Sequence, residues 1–284
     1  MLGSSRPTRS QRLRAFICHA ARFGDRWRRV AGGLSLPSSE SFDERVQEHL
    51  AALATHPMTR QLFQEFHLRM RELDDLHLRG DGQRVELGSG VYPVKRTFSD
   101  VLATDVVSAP GIDVVLDAEA MDLPDLSVRC FYAQFVFHHL GQPSVFFREL
   151  ERVCVPGGGA VLIEPAAGPF AGLLFRRLFS TETFDRAMPG WEAPVEDPMT
   201  GANQALSWVV FERDRARFER EHPRLRIVAH ELSPSYLRYI ASGGLNFPQL
   251  VPTRFGPALE TLERLLPRLR PLLAVHQYYV IRKT

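Results

Sequence analysis

At 284 residues, 44% hydrophobic and 24% charged, the chain has the composition of a folded globular protein. It is long enough for one large α/β domain with embellishments or for two small domains. A formal net charge of +2 is too balanced to argue for nucleic acid as a partner. Cys18, Cys130 and Cys154 are isolated, with no Cys-x-x-Cys pair, which argues against a zinc ribbon or a disulfide framework and for a reducing compartment. No run approaches the roughly 18 apolar residues of a membrane span.

Residues 1–40 form a basic arm. Arg6, Arg9, Arg12, Arg14, Arg22, Arg26, Arg28 and Arg29 stand there against Asp25 alone in the first thirty positions. Such an arm reads as a solvated extension or a surface for lipid. Ala15-Phe16-Ile17-Cys18 is too short for a secretory core. A helical cap follows over 41–80. Ser41-Phe42-Asp43-Glu44 has the Ser-x-x-Glu form of a capping box opening a helix to about His56. Leu62, Phe63, Phe66, Met70, Leu73 and Leu76 recur at helical spacing, and Gly80-Asp81-Gly82 ends that second helix.

Strands and helices then alternate. Strands are expected at Arg84–Leu87, Val101–Asp105, Asp113–Leu116, Cys130–Phe137 and Ala160–Glu164, with a helix over Pro143–Val153 and a turn at Pro156-Gly157-Gly158-Gly159. Residues 166–205 break the rhythm as an insertion rich in Phe, Gly and Pro. A helix from about Gln204 to Glu221, a strand Leu225–Leu232, a helical stretch Pro257–Leu269 and a strand Val275–Arg282 close the chain. Seven apolar strands interleaved with helices predict an α/β fold with a doubly wound, mostly parallel sheet covered on both faces.

In open sheets of this kind ligands sit beyond the carboxyl ends of the strands, where strand order reverses. Glu86, Gly88, Ser89 and Gly90 follow the first strand as an acidic residue and a glycine turn that lets backbone approach a nucleotide. Asp105 ends the second strand about twenty residues on, the distance at which a carboxylate meets a ribose diol. Asp117-Ala118 follows the third strand, and Phe135 to His139 close the fourth.

The succession VELGSG, VLATDV, LDAEAMDLP, YAQFVFHHL and ERVCVPGGGAVLIEP resembles the class I S-adenosylmethionine-dependent methyltransferases, densely over residues 83–165 and more loosely beyond. The Asp-Ala-Glu-Ala-x-x-Leu-Pro and Pro-Gly-Gly-Gly segments separate this family from nicotinamide-binding proteins, which share the loop and the acid on the second strand. The resemblance implies a Rossmann-like fold and S-adenosylmethionine as cofactor. It implies that Gly88, Ser89 and Gly90 wrap the methionine part, with Glu86 beneath them near its amine. Asp105 would take the ribose hydroxyls, Asp117 the adenine amino group with Ala118 donating from its backbone, and the backbone near Phe135 would face the methionine amine. Tyr92 and Pro93 stand where many members have a third glycine, so the loop is expected to enter a short or distorted helix. No metal is implied.

His138 and His139 are the catalytic candidates. One can act as a general base, or they can cap the next helix or orient the loop they sit in. The acceptor pocket falls to the N-terminal helices and to 166–205, which makes 81–284 a cofactor-binding domain with an acceptor-side insertion. Trp191, Glu192, Asn203 and Gln204 offer aromatic and polar groups there. The apolar stripe Phe170–Phe179, with Arg176 and Arg177, reads as a lid, a lipid-surface helix or core packing. Leu262, Leu265, Leu266, Leu269, Leu272 and Leu273 with Arg264, Arg268 and Arg270 read as a helix covering the sheet; with the basic arm they permit peripheral membrane contact. The second half of the chain, including SPSYLRYIASGGLNFPQLVP, resembles bacterial methyltransferases of unassigned acceptor, some of them associated with glycan or secondary-metabolite synthesis. The leading expectation is methyl transfer to a small-molecule or glycan acceptor, at oxygen, in the cytoplasm or at the membrane periphery. The alternatives are a cofactor-binding protein with a non-methylating or regulatory role, and an NAD-dependent dehydrogenase.

Overall fold

The computed structural model describes residues 39–177, 182–192, 202–245 and 247–284, with the side chains of 39–45 excepted. The basic arm up to residue 38, Cys18, the capping-box side chains and Phe179 lie outside the described residues. Two helices open the described residues, α1 (Ser39–Thr55) and α2 (Pro57–His77). The first begins two residues before Ser41. Proline near the start of α2 supplies a preset φ where a backbone N–H has no helical partner. Met58, Leu62, Phe63, Phe66, Met70 and Leu73 are buried along one face of α2.

Seven strands follow: β1 (Gln83–Leu87), β2 (Val101–Asp105), β3 (Val114–Val115), β4 (Val128–Gln134), β5 (Cys154–Pro165), β6 (Leu225–Leu232) and β7 (His276–Lys283). They form one sheet in the order β3-β2-β1-β4-β5-β7-β6. The first five run parallel, and β7 is antiparallel to both β5 and β6. The expected doubly wound, mostly parallel sheet is therefore present. Helices α3 (Pro143–Val153), α4 (Pro169–Arg177), α5 (Arg215–Glu221), α6 (Tyr236–Ser242) and α7 (Gly256–Leu265) complete the regular structure used below.

The period-2 alternation of strand side chains divides the core in two. Phe131 and Ala133 of β4 face one side with Phe146, Phe147 and Leu150 of α3. Cys130 and Tyr132 face the other side with α2. Trp191 is fully buried in the first cluster, and its indole N–H donates to Asp214 at 2.9 Å. It is a core residue and not a wall of an acceptor pocket. Cys130 and Cys154 are buried free thiols. Among the described residues no helix is long and apolar enough to cross a membrane.

Several boundaries differ from those expected, each for a local reason. β3 has only two residues, both exposed at the sheet edge, because the Asp113 carboxylate turns back to accept from the Ala103 N–H and Lys95. Between β1 and β4 the alternation is thin: the one helical segment is a single 3₁₀ turn, Val94–Arg96. β4 ends at Gln134 rather than Phe137; Phe135 takes φ 58° and Phe137–His139 form a 3₁₀ turn. The expected Pro-Gly-Gly-Gly turn lies inside β5. At Gly159 a Cβ would collide with the Ile281 carbonyl oxygen of β7, so the glycine is required by close strand approach. The helix expected over 204–221 is broken by a π turn, Val209–Arg213, ahead of Asp214. The C-terminal stretch breaks at Leu266, and α7 packs on α6 rather than covering the sheet, leaving Leu262, Leu265, Leu269 and Leu272 exposed.

Candidate functional site

Strand order in the sheet reverses between β1 and β4: β2 and β3 lie to one side of β1, while β4, β5 and β7 lie to the other. The crevice beyond the carboxyl ends of β1 and β4 is the topological switch point, where open α/β sheets take ligands. The residues singled out by sequence end these strands.

Glu86 is buried in β1. Its Oε2 accepts from the Ser89 hydroxyl and from the Val94 N–H, both at 2.8 Å. Burial raises its pKa to about 8 despite those two donors. One carboxylate thus closes the loop from Gly88 into the 3₁₀ turn. Gly88 has φ 59°, and a Cβ there would meet Val136 Cγ2 at 2.5 Å. Gly90 has φ 52° and faces open space; a Cβ would meet nothing nearer than the Gly88 carbonyl oxygen at 3.9 Å. Tyr92, in place of a third glycine, packs its ring on Phe63 and His67 of α2, at 5.9 and 5.6 Å between centroids. The departure from the glycine pattern is therefore an anchor between loop and helix.

Asp105 is tied to the same loop, since Gly90 N–H donates to its Oδ2 at 3.0 Å, and burial raises its pKa. Asp117 accepts from Glu119 N–H at 2.8 Å, and burial raises its pKa as well. The segment after it is fastened to α3: Met121 N–H donates to Glu149, and Arg152 donates to the carbonyls of Met121 and Leu123. Ala118 is buried at the start of that segment. The structure brings Glu86, Gly88, Ser89, Gly90 and Asp105 into one bonded unit, with Asp117 at the end of the neighbouring edge strand.

Across the switch, Phe135 N–H makes the last ladder bond, to Ile163 O at 2.9 Å. The next two backbone donors, Val136 and Phe137, turn to Glu164 Oε1 at 3.0 and 2.8 Å. Glu164 is fully buried at the end of β5, and its Oε2 accepts from His138 Nδ1 at 2.6 Å. A carboxylate only accepts, so His138 Nδ1 donates to Glu164, while Nε2 faces Glu182 at 3.5 Å. His139 Nε2 lies 4.0 Å from the same carboxylate. Burial pushes the His138 pKa down, but Glu164 and Glu182 outweigh it and hold it up to about 10. Glu182 is pushed up by burial and drawn below the usual range by His138. His276, buried at the start of β7, stands 4.7 Å from the Phe135 ring and 4.2 Å from that of Tyr239, and burial lowers its pKa to about 3.

Glu164, Glu182, Tyr239 and His276 were not singled out by sequence. Glu164 carried a signal, an acid ending a fully apolar strand. The other three reach the site only through tertiary folding. Asn203 staples its own loop, accepting from Asp185 and Ala205 N–H, and Glu192 accepts from Ser144. Gln204 is buried.

Residues 94–162 match the family model of a methyltransferase domain. Among curated proteins, none matches the chain in sequence. Solved structures with a similar outline include an S-adenosylmethionine-dependent methyltransferase from Archaeoglobus fulgidus, 14% identical over 79% of this chain and 94% of that one, with a TM-score of 0.44. Another is an S-adenosylmethionine-dependent methyltransferase from Mesorhizobium loti, 14% identical over 75% of this chain and 96% of that one, with a TM-score of 0.40. A third is the [4+2]-cyclase SpnF, 15% identical over 76% of this chain and 80% of that one, with a TM-score of 0.41. The open face of Gly90, the left-handed glycines and the carboxylates at successive strand ends fit a nucleoside with an amino-acid tail. By the match over residues 94–162, the chain carries a methyltransferase domain, with S-adenosylmethionine as its cofactor.

Proposed function

We propose that the protein methylates an oxygen of a small-molecule or glycan acceptor. Bound S-adenosylmethionine supplies a methyl group on a sulfonium sulfur, already activated for in-line transfer. The chain's own work is then alignment, exclusion of water and removal of a proton. In this reading Gly88, Ser89 and Gly90 hold the methionine part above Glu86, and the backbone at Phe135 faces its amine. Asp105 takes the ribose hydroxyls; Asp117 and the Ala118 N–H take the adenine edge.

The observation that carries the choice of oxygen is the cluster that Glu182 forms with His138 and His139, in the turn after Phe135, with His276 between the Phe135 and Tyr239 rings. A hydroxyl is a weak acid and needs a proton acceptor in the transition state, whereas a softer nucleophile does not. Calorimetric titration with S-adenosylhomocysteine tests the cofactor half of the proposal. Losing one charged hydrogen bond, worth about 1.5–3 kcal/mol, predicts a roughly ten- to hundredfold weaker affinity for Asp105→Ala and for Asp117→Ala. Unchanged affinity in both variants would show that these roles are misassigned. Mass spectrometry of products from matched hydroxyl and amine acceptor panels tests the other half, and exclusive methylation of amines would overturn oxygen.

A further inference from the structure

We infer that His138, His139 and Glu182 form a binding site for a divalent metal ion of the zinc class. Each offers one ligand atom, and the three atoms lie within 4.8 Å of one another. Ligand atoms held 2.0–2.2 Å from a tetrahedral ion stand about 3.4 Å apart. His138 Nε2 is 3.5 Å and His139 Nε2 is 4.0 Å from the two oxygens of Glu182, close to that spacing before any ion draws them in. The His139 and Glu182 side chains are each about one-fifth exposed, which leaves the site an entry path and room to adjust.

The independent observation is the shell behind these residues. A metal-binding histidine characteristically donates its other ring N–H to a carboxylate, which fixes its tautomer and raises its basicity. His138 Nδ1 donates to Glu164 at 2.6 Å, and Glu164 is itself held by two backbone N–H groups at 3.0 and 2.8 Å. This relay aims Nε2 at Glu182 and leaves little freedom to turn away. Two imidazoles and one carboxylate suit zinc and its transition-metal neighbours; magnesium prefers an all-oxygen shell. Three protein ligands leave a fourth position open, the arrangement of catalytic rather than structural sites.

The use of such an ion rests on the proposed oxygen transfer: a cation beside the acceptor would make its hydroxyl a stronger acid. The site itself does not depend on that reading, because metal binding is measured without any acceptor. Chelator-treated full-length protein is titrated with Zn²⁺ by calorimetry and with Co²⁺ by visible absorption. One equivalent is expected to bind with the d–d bands of a low-coordinate site. Glu182→Gln and His139→Ala should each weaken binding at least tenfold, and Glu164→Gln about 10- to 100-fold. His139→Gln replaces His139→Ala if the latter does not fold. S-adenosylhomocysteine affinity in the same preparations reports that each variant retains its fold. Failure of the parent to bind, or binding as tight in Glu182→Gln and His139→Ala as in the parent, would overturn the site. Metal binding without methylation of hydroxyls would overturn the oxygen assignment alone.

Discussion

Glu86 shows how one buried carboxylate links loop geometry to proton uptake. Its ordinary pKa is 4.5, and burial raises it to about 8 in the folded protein. Between those values the folded chain holds a proton that the unfolded chain has released. Stability contributed by this group therefore falls as pH rises from about 4.5 and is fully lost above about 8. Glu86→Gln keeps an oxygen for the Ser89 and Val94 donors and removes the titration. Thermal melts across that range should show the parent losing stability more steeply than the variant, and parallel curves would refute the assignment. The acid before a glycine loop was readable in the sequence. Its burial and its two donors were not, because Val94 returns to it only after the loop closes.

At the scale of elements, the loop between β1 and the Val94–Arg96 turn is set by Gly88. An L residue in the left-handed region costs about 1–2 kcal/mol, and the contact with Val136 adds to that. Gly88→Ala should lower the melting temperature and weaken S-adenosylhomocysteine binding together, while Gly90→Ala, in open space, should spare stability more. Equal melting temperatures for the two variants would contradict the packing described. Two glycines in such a loop were legible; which one is sterically required depends on Val136, from the far side of the switch point. The end of β4 is a similar case. Its apolar run to Phe137 reads as strand, and Glu164 of β5 stops it three residues earlier by capturing the Val136 and Phe137 N–H groups.

For the molecule as a whole, one buried carboxylate of α2 ties that helix to the two central strands. Asp74 is fully buried and accepts from Arg84 of β1 at 2.8 Å, from Arg129 of β4 at 3.1 Å and from the Tyr132 hydroxyl at 2.8 Å. Asp74→Ala leaves two guanidinium groups and a phenol without this acceptor, a loss on the order of 3 kcal/mol. Urea unfolding should show it as a lower midpoint, and a change under about 1 kcal/mol would mean that Asp74 is not what holds α2 in place. Seven strands, a mostly parallel sheet and the acids and glycines at the strand ends are legible in the amino-acid order alone. Those features rest on local periodicity and on the backbone freedom of glycine. Folding alone makes Trp191 core, makes Tyr92 the anchor of the loop, brings Glu164 and Glu182 to His138 and His139, and sets His276 between Phe135 and Tyr239. These contacts join residues from distant strands and loops, and no spacing along the chain encodes a distance across the sheet.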